Sequence, residues 1–258
     1  MLTEKQIAHY RTFGFVIHRE LFSHKEMESI IKDFDGIMSI DRNGTPFKGT
    51  DSQTVLWFIE QRSSLIDILE DDRIYIPVEQ LLGEEFLWVL SDANLFVGDT
   101  KWHGGGGTPP VLDHVKVLFY LDSLTRNTGS LRVIPGSHRS EYQLFLSKYQ
   151  GKKAWGSGVE ESLGVAGSEI PSYALETHPG DVVFASENLW HASFYGKPGR
   201  RMFNMNIFEN PTTSEQVQYI QTEQKITKAM WHPHENFLNS KRPRIYNMVK
   251  RYVELELT

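Results

Sequence analysis

The chain of 258 residues contains no cysteine, and this absence limits the chemistry open to it. Disulfide frameworks, thiolate zinc sites, iron–sulfur clusters and cysteine nucleophiles all require sulfur. Any bound metal must therefore be held by imidazole and oxygen. Basic residues number 27 against 33 acidic ones, a formal charge of -6. This balance excludes a broad electrostatic footprint for a nucleic-acid polymer, although a local basic pocket for a small phosphorylated molecule stays open.

Long hydrophobic runs are also lacking. The apolar runs have the length of strands, so we expect no membrane span. The first fourteen residues, MLTEKQIAHYRTFG, carry scattered charges and no apolar signal core, which favours a cytoplasmic location. Hydrophobic residues make up 40% of the chain, enough for one sizeable core. We therefore expect a single domain over residues 1–258.

The hydrophobic pattern changes character along the chain. Residues 1–82 show helical periodicity, with Thr3 and Ser23 as N-cap candidates, Gly14 as a helix end and a further helical stretch from Ser63 to Glu70. Phe15 to Ile17 predicts one short strand within this part. Residues 86–210 contain short β-rich runs separated by turn residues, among them FLWVL, ANLFV, VKVLFYL and DVVFA. Residues 213–255 again predict helices. This order predicts a mainly β, α+β fold, in which an antiparallel sandwich or barrel has helices packed outside.

Two further stretches stand apart from this pattern. The glycine-rich stretch from Leu144 to Ser168 predicts a long loop or lid. The carboxy-terminal tail is rich in cations, which form either a solvated helix face or a site for an anionic substrate. These cations are Lys241, Arg242, Arg244, Lys250 and Arg251.

Two histidines follow predicted strands. His103 precedes a run of four glycines, and His191 follows the strand DVVFA across a turn. Only the tertiary fold can bring residues so far apart in sequence together. Soon after His191 the chain enters the last predicted strand through Arg200 and Arg201. A guanidinium there is suited to bidentate binding of a carboxylate, and strand alternation lets only one of the two point inward.

At these positions the sequence resembles the phytanoyl-CoA dioxygenase-like branch of the iron(II)- and 2-oxoglutarate-dependent oxygenases. The matching segments are LTEKQIAHYRTFGFVIHRELFS, LDSLTRNTGSLRVIPGSHR, HPGDVVFASENLWHASF and RRMFNMNIF. The resemblance implies a double-stranded β-helix, a jelly-roll or cupin-like barrel. It also implies iron held by a His-X-Asp pair and a distal histidine, and O2 as cosubstrate. His103 and His191 match the two histidines, and Arg201, with Arg200 as its rival, matches the arginine that binds 2-oxoglutarate.

The third ligand position departs from the family pattern. Gly105 stands where the family has aspartate. In aliphatic halogenases of the superfamily a small residue at this position leaves space for chloride on the iron, so the resemblance implies halogenation of an unactivated aliphatic carbon by hydrogen abstraction and halogen transfer. A hydroxylase is the first alternative, either with Asp99 or Asp113 recruited as ligand or with Gly105 replacing an original aspartate. A ligand-binding barrel without catalysis is the second.

The substrate is expected to be a free small molecule, since no carrier-docking feature is evident. Lys116 and Arg132 lie on predicted strands, from which one of them can reach the cavity. A cation there favours an anionic substrate, such as a nucleotide. Lys116 and Arg132 are therefore the candidate substrate-binding residues, and carrier proteins are not expected as partners.

Overall fold

The computed structural model describes residues 1–104, 111–146, 164–227 and 230–257. Most of the predicted lid, residues 147–163, and the predicted halide position Gly105 lie outside these ranges. The described helices lie at the two ends of the chain, apart from one in the middle. They are α1 Glu4–Phe13, α2 His24–Asp41, α3 Ser63–Glu70, α4 Asp72–Leu82, α5 Ser140–Leu146, α6 Ser214–Ile226, α7 Glu235–Leu238, α8 Pro243–Asn247 and α9 Lys250–Glu254.

The strands of the described residues form two antiparallel sheets. They are β1 Phe15–His18, β2 Gln53–Leu56, β3 Leu87–Phe96, β4 Thr100–His103, β5 His114–Tyr120, β6 Leu131–Val133, β7 Tyr173–Leu175, β8 Val182–Ser186, β9 His191–Ser193 and β10 Arg200–Phe208. The larger sheet has the order β1-β8-β5-β10-β3-β2, and the smaller one β4-β9-β6-β7. The predicted α+β class with a jelly-roll architecture is confirmed, although the described strands make two sheets and not one closed ring.

Local capping signals place the first helices as the sequence predicts. Thr3 and Ser23 each form a capping box, and each accepts a hydrogen bond from a backbone N–H in the first turn of its helix. Gly14 ends α1 with a φ of 85°, the left-handed conformation in which glycine carries no Cβ penalty. The next residue, Phe15, can therefore enter β1 directly, where it pairs with Ala185 of β8.

The main core lies between the larger sheet and the helices. Phe34 of α2 contacts Phe58, and Phe58 contacts Phe203 of β10 at 5.1 Å between ring centroids. Phe203 also stacks on Phe119 of β5. Because side chains alternate along a strand, Phe203 and Met205 face this core, while Met202 and Asn204 face the space between the sheets.

Three details of the sequence prediction differ from the structure. Within residues 1–82 the predicted short strand is present as β1, and β2 is an additional strand that the sequence pattern does not predict. β3 is one continuous strand where two short ones are predicted. The tail forms two short helices, α8 and α9, and four of its cations make ion pairs. The pairs are Arg242 with Asp67 and Glu70, Arg244 with Asp72, Lys250 with Glu85, and Arg251 with Glu254.

Arg242, Arg244 and Lys250 connect the tail to α3, to α4 and to Glu85 just before β3, whereas the Arg251 pair lies within the tail. The structure therefore favours the interpretation of these cations as a surface helix face. None of the four paired cations lines the cavity between the sheets. Within the described ranges, no helix combines the length and the apolar character that crossing a bilayer requires.

Candidate active site

A cavity of about 440 Å³ lies between the two sheets. One wall comes from β2, β3, β5, β8 and β10 of the larger sheet, and the other from β4, β6 and β9 of the smaller one. Apolar side chains cover much of the wall, and a few polar and charged groups interrupt them. This volume is in the range of pockets that bind small molecules. The apolar members are Leu56, Phe96, Leu118, Leu131, Val133, Ala185, Leu189 and Met202.

His103 and His191, predicted as a pair, lie on neighbouring strands and face each other in this cavity. They are direct partners in the register of β4 and β9, and their ring centroids are 4.1 Å apart with an interplanar angle of 57°. The fold therefore brings together two residues that are distant in sequence. An edge-of-sheet pair of this kind can present two imidazole nitrogens to one metal ion.

Each ring is oriented by a backbone carbonyl two residues earlier. His103 Nδ1 lies 2.8 Å from the carbonyl oxygen of Lys101, and His191 Nδ1 lies 2.7 Å from that of Leu189. A carbonyl only accepts, so Nδ1 must carry the proton and donate it. The tautomer with its lone pair on Nε2 follows, which is the form that binds a metal.

Burial also keeps both rings in their neutral form. It lowers the pKa of His103, and it lowers the pKa of His191 to about 3, with the adjacent His103 acting in the same direction. An imidazole must be unprotonated on the coordinating nitrogen to act as a ligand. Both rings therefore meet the requirement at neutral pH.

No carboxylate joins the two histidines within the described ranges. There, no group of three or more histidine, aspartate and glutamate side chains is arranged to hold a metal ion. Asp99 accepts a hydrogen bond from the backbone of Tyr195, and neither Asp99 nor Asp113 lines the cavity. Neither residue is therefore placed as the substitute ligand that the hydroxylase alternative requires.

Of the two arginines that begin β10, Arg200 faces the cavity and Arg201 does not. Arg200 is 6% exposed, lines the cavity and makes no ion pair with any described residue. Arg201 points to the outer face, where it donates to Asp122 at 2.7 Å and lies 3.3 Å from Asp35 of α2. The expectation that Arg201 points inward is therefore wrong, because its carboxylate partners lie on the helix side of the sheet.

Two glycines make room for the Arg200 guanidinium. A Cβ placed on Gly129 or on Gly196 would collide with Arg200 Nη1. Only residues without a side chain can therefore approach this group so closely. Arg200 Nη1 is buried and donates to no partner among the described residues, and Arg200 Cζ lies 5.3 Å from the ring centroid of Phe96. A buried, unpaired guanidinium is costly, so this arrangement is suited to an anionic ligand.

The two predicted substrate-binding residues have different positions. Lys116 of β5 lines the cavity, but its Nζ lies 2.5 Å from Glu187 Oε2. Burial acts to raise the pKa of Glu187, yet Lys116 outweighs it and the pKa falls to about 2. Arg132 points away from the cavity, so Lys116 is the one of the two that reaches it, and Arg132 is not placed to bind a substrate there. Its guanidinium donates to the carbonyl oxygens of Ser168 and Arg126, because Leu131 and Val133 occupy the inward positions of β6.

A polar patch of the cavity is not predicted from the sequence. We call it the Asp92 patch, and it lies on β2, β3 and β10, where hydrogen bonds join its members. Its members are Thr54, Asp92, Asn94 and Asn204, which line the cavity, and Asn206, which lies behind them and contacts Asp92. A signal for it exists, since Asp92 and Asn94 alternate along β3 as Asn204 and Asn206 do along β10. Polar residues at every second position of an otherwise apolar strand indicate a polar cavity wall.

The fold and the facing histidines place the protein among the oxygenases that use iron and 2-oxoglutarate. A model of the phytanoyl-CoA dioxygenase (PhyH) family matches residues 10–202, well over half of the chain. The chain belongs to this family and is an enzyme of the iron- and 2-oxoglutarate-dependent oxygenase superfamily. A search of curated proteins finds no match.

Solved structures share the fold at low sequence identity. HygX from Streptomyces hygroscopicus, with nickel and 2-oxoglutarate bound, has a TM-score of 0.65 at 18% identity, covering 82% of this chain and 89% of its own. EctD from S. alaskensis in its apoform has a TM-score of 0.60 at 21% identity, covering 80% and 76%. SnoK, a non-heme alpha ketoglutarate dependent carbocyclase from nogalamycin biosynthesis, has 0.62 at 15% identity, covering 91% and 95%.

Proposed function

We propose that the protein is an iron(II)- and 2-oxoglutarate-dependent halogenase that chlorinates an aliphatic carbon of a free small molecule. The observation that carries this proposal is Gly105, which stands two residues after His103 where the family has a metal-binding aspartate. The described residues offer no replacement carboxylate beside the two histidines. Glu187, a carboxylate on the cavity wall, already forms an ion pair with Lys116.

The donor set fits iron(II) with two protein ligands. In this proposal His103 and His191 bind through Nε2, and the carbonyl groups of Lys101 and Leu189 hold the rings in place through Nδ1. With O2, the bound iron and 2-oxoglutarate would supply the oxidising power for hydrogen abstraction from carbon. The apolar wall, including Leu118, would exclude water from the reacting carbon.

Arg200 is the residue that we assign to 2-oxoglutarate. Its guanidinium is buried in the cavity, and no described carboxylate pairs with it. A planar guanidinium suits bidentate binding of a carboxylate. The crystal structure of HygX with nickel and 2-oxoglutarate bound supports a site of this kind in the shared fold.

Chloride is the ligand that we assign to the position vacated at residue 105. Removal of a carboxylate takes away one negative charge and opens one coordination position on the metal. A halide would supply the charge and fill the position. A small-molecule substrate is consistent with the cavity of about 440 Å³ and with the HygX structure that contains hygromycin B. An anionic substrate such as a nucleotide loses its support, because Lys116 is paired and Arg132 lies outside the cavity.

Anaerobic spectroscopy tests this proposal. Protein loaded with iron(II) and 2-oxoglutarate should show a metal-to-ligand charge-transfer band, and added chloride or bromide should shift it. Gly105→Asp should keep the band and abolish the halide response, because the carboxylate then fills the open position. Gly106→Asp is the matched control, since it adds the same carboxylate one residue away from the motif and should leave the halide response in place.

Two outcomes contradict the proposal. A band that does not respond to either halide in the unaltered protein would favour the hydroxylase. The absence of any band, with no binding of 2-oxoglutarate by calorimetry, would favour a ligand-binding barrel without catalysis.

A further inference from the structure

Asp92 is the one carboxylate on the described cavity wall that has no ion-pair partner among the described residues. The other carboxylate, Glu187, is paired with Lys116. The wall also contains one further cation, Arg200, which the proposed function assigns to 2-oxoglutarate. When that cosubstrate is bound, Asp92 is the carboxylate on the described wall that still has no ion-pair partner. Burial raises the pKa of Asp92, and Lys116 and the amide donors act in the opposite direction, so a cation at Asp92 would favour its ionised form.

Amide groups hold the Asp92 carboxylate in a fixed orientation. Asn94 Nδ2 and Asn204 Nδ2 donate to Oδ1 at 2.6 and 2.9 Å, and Asn206 Nδ2 donates to Oδ2 at 3.3 Å. These three hydrogen bonds are neutral and supply no positive charge. A carboxylate has about four lone-pair positions, so capacity for one more donor remains, and Asp92 lines the cavity where a ligand can supply it.

Further hydrogen bonds fix the orientation of two of these amides. Asn94 Oδ1 accepts from Thr54 Oγ1 at 2.7 Å, and Asn204 Oδ1 accepts from Asn206 Nδ2 at 2.8 Å. The amide groups therefore turn their nitrogens toward Asp92 and their oxygens away from it. This orientation of the amide groups preorganises the Asp92 carboxylate as an acceptor, which lowers the free-energy cost of binding a donor.

The position of the Asp92 patch also suits substrate recognition. The patch lies on β2, β3 and β10 of the larger sheet, whereas His103 and His191 lie on the smaller sheet at the opposite wall. Leu118 of β5, which pairs with Asn204 in the sheet register, contributes apolar surface beside the patch. A molecule that is anchored at Asp92 can therefore place an aliphatic carbon in the cavity between the two walls.

From these contacts we propose that Asp92 binds a protonated amine of the substrate, which is accordingly a cationic aliphatic amine. The inference depends on the proposed function in one respect, the assignment of Arg200 as the residue that binds 2-oxoglutarate. The ammonium group donates to the open lone pair of Asp92 and supplies the positive charge that the three amides do not. An anionic substrate group at the same place would meet a carboxylate and be repelled.

Three probes of similar shape test this preference. Cyclohexylamine, cyclohexanol and cyclohexanecarboxylate are titrated by anaerobic calorimetry into protein loaded with iron(II) and 2-oxoglutarate. Because hydrogen bonds to charged groups are stronger than neutral ones, we expect the amine to bind about tenfold or more tightly than the alcohol and the carboxylate. If cyclohexanecarboxylate binds the unaltered protein as tightly as cyclohexylamine does, the proposal is wrong, and no variant is needed to show it.

A matched pair of variants then assigns the preference to Asp92. Asp92→Asn keeps the shape and removes the charge, so the amine and the alcohol should bind within about twofold of each other. Asp122→Asn makes the same change outside the cavity, where Asp122 pairs with Arg201, and should keep the full preference. Circular dichroism establishes that each variant is folded. If Asp92→Asn is folded and still prefers the amine, another group binds the ammonium and the proposal is wrong.

The amine test and the halide test fail independently. If the charge-transfer band ignores chloride while the amine preference depends on Asp92, halogenation is wrong and the substrate class stands. If chloride shifts the band while cyclohexylamine shows no preference, the halogenase assignment stands and Asp92 has only its structural role between β3 and β10.

Discussion

Arg200 and Arg201 are adjacent in the chain, yet their guanidinium groups lie on opposite faces of β10. Arg200 lies in the cavity beside Gly129 and Gly196, and Arg201 reaches Asp122 on the helix side. The alternation of side chains along a strand requires this division. Their ion-pair partners determine which arginine faces the cavity, because Asp122 neutralises Arg201 while no described carboxylate neutralises Arg200.

Substitution of each arginine should separate the two roles. Arg200→Gln removes the charge proposed to bind 2-oxoglutarate, and loss of one partner of a buried charge pair typically costs about 2–5 kcal/mol, so affinity should fall by roughly thirtyfold or more. Arg201→Gln should change the affinity by less than about threefold, because its contacts lie outside the cavity. Titration of 2-oxoglutarate under anaerobic conditions, followed through the charge-transfer band, measures both. Equal losses in the two variants would contradict the assignment.

The glycines around Arg200 should matter for the same reason. Gly196→Ala places a methyl group where Arg200 Nη1 now lies, so the guanidinium must move and affinity for 2-oxoglutarate should fall by about tenfold or more. The matched control is Gly36→Ala in α2, where the nearest atom to the new Cβ is Arg62 Nη2 at 3.4 Å. That variant should bind 2-oxoglutarate normally. Normal binding by Gly196→Ala would show that the guanidinium is free to relocate.

Local signals in the sequence predict much of the framework. The capping residues Thr3 and Ser23, the helix end at Gly14 and the span of α3 agree with the structure, because each depends on contacts within a few residues. The pairing of His103 with His191 could be predicted only through the family resemblance, since no local pattern joins β4 to β9.

The remaining features depend on contacts between distant segments. Alternation requires one of Arg200 and Arg201 to face inward, but the choice depends on Asp122 and Asp35, which lie far away in sequence. Lys116 is paired because β5 and β8 are neighbours in the sheet, which places Glu187 beside it. The sequence of a strand shows which side chains share a face. The partners of those side chains depend on which strands are neighbours in the assembled sheets.

The Lys116–Glu187 pair should behave as a coupled unit. Lys116→Met leaves Glu187 unpaired in the cavity wall, and because the two side chains are 23% and 33% exposed, we expect a loss of about 2 kcal/mol, less than for a fully buried pair. The double variant Lys116→Met/Glu187→Leu should recover most of the loss, since no lone charge remains. Urea denaturation gives the free energy of unfolding for each protein.

A surface lysine provides the comparison for this pair. Lys250 Nζ lies 2.6 Å from Glu85 Oε1, and the Glu85 side chain is 55% exposed. Solvent screens this pair, so Lys250→Met should lower the free energy of unfolding clearly less than Lys116→Met does. Two results would show that the cavity pair is not coupled. In the first, Lys116→Met lowers the free energy of unfolding no more than Lys250→Met does. In the second, the loss in the double variant equals the sum of the losses in the Lys116→Met and Glu187→Leu single variants.

The buried Glu60 should make the stability depend on pH. It is 1% exposed, and it accepts hydrogen bonds from Trp88 Nε1 at 2.8 Å and from Ser91 Oγ at 2.5 Å. Burial raises the pKa of Glu60 from 4.5 to about 7, against the opposing effect of these donors. Between these two values the folded protein holds a proton that the unfolded chain has released. The free energy of unfolding therefore falls as the pH rises through this interval.

Glu60→Gln removes this titration. The free energy of unfolding of the variant, relative to that of the unaltered protein, should therefore be higher at pH 8 than at pH 5. A shift of this size corresponds to a change on the order of 3 kcal/mol. Comparison of the two proteins at each pH cancels the titration of groups that they share, including the buried histidines. The exposed Glu84 provides the control for the substitution itself, because Glu84→Gln makes the same chemical change at the surface. Urea denaturation at pH 5 and pH 8 measures these differences, and a constant offset for Glu60→Gln would mean that Glu60 is ionised in the folded protein throughout.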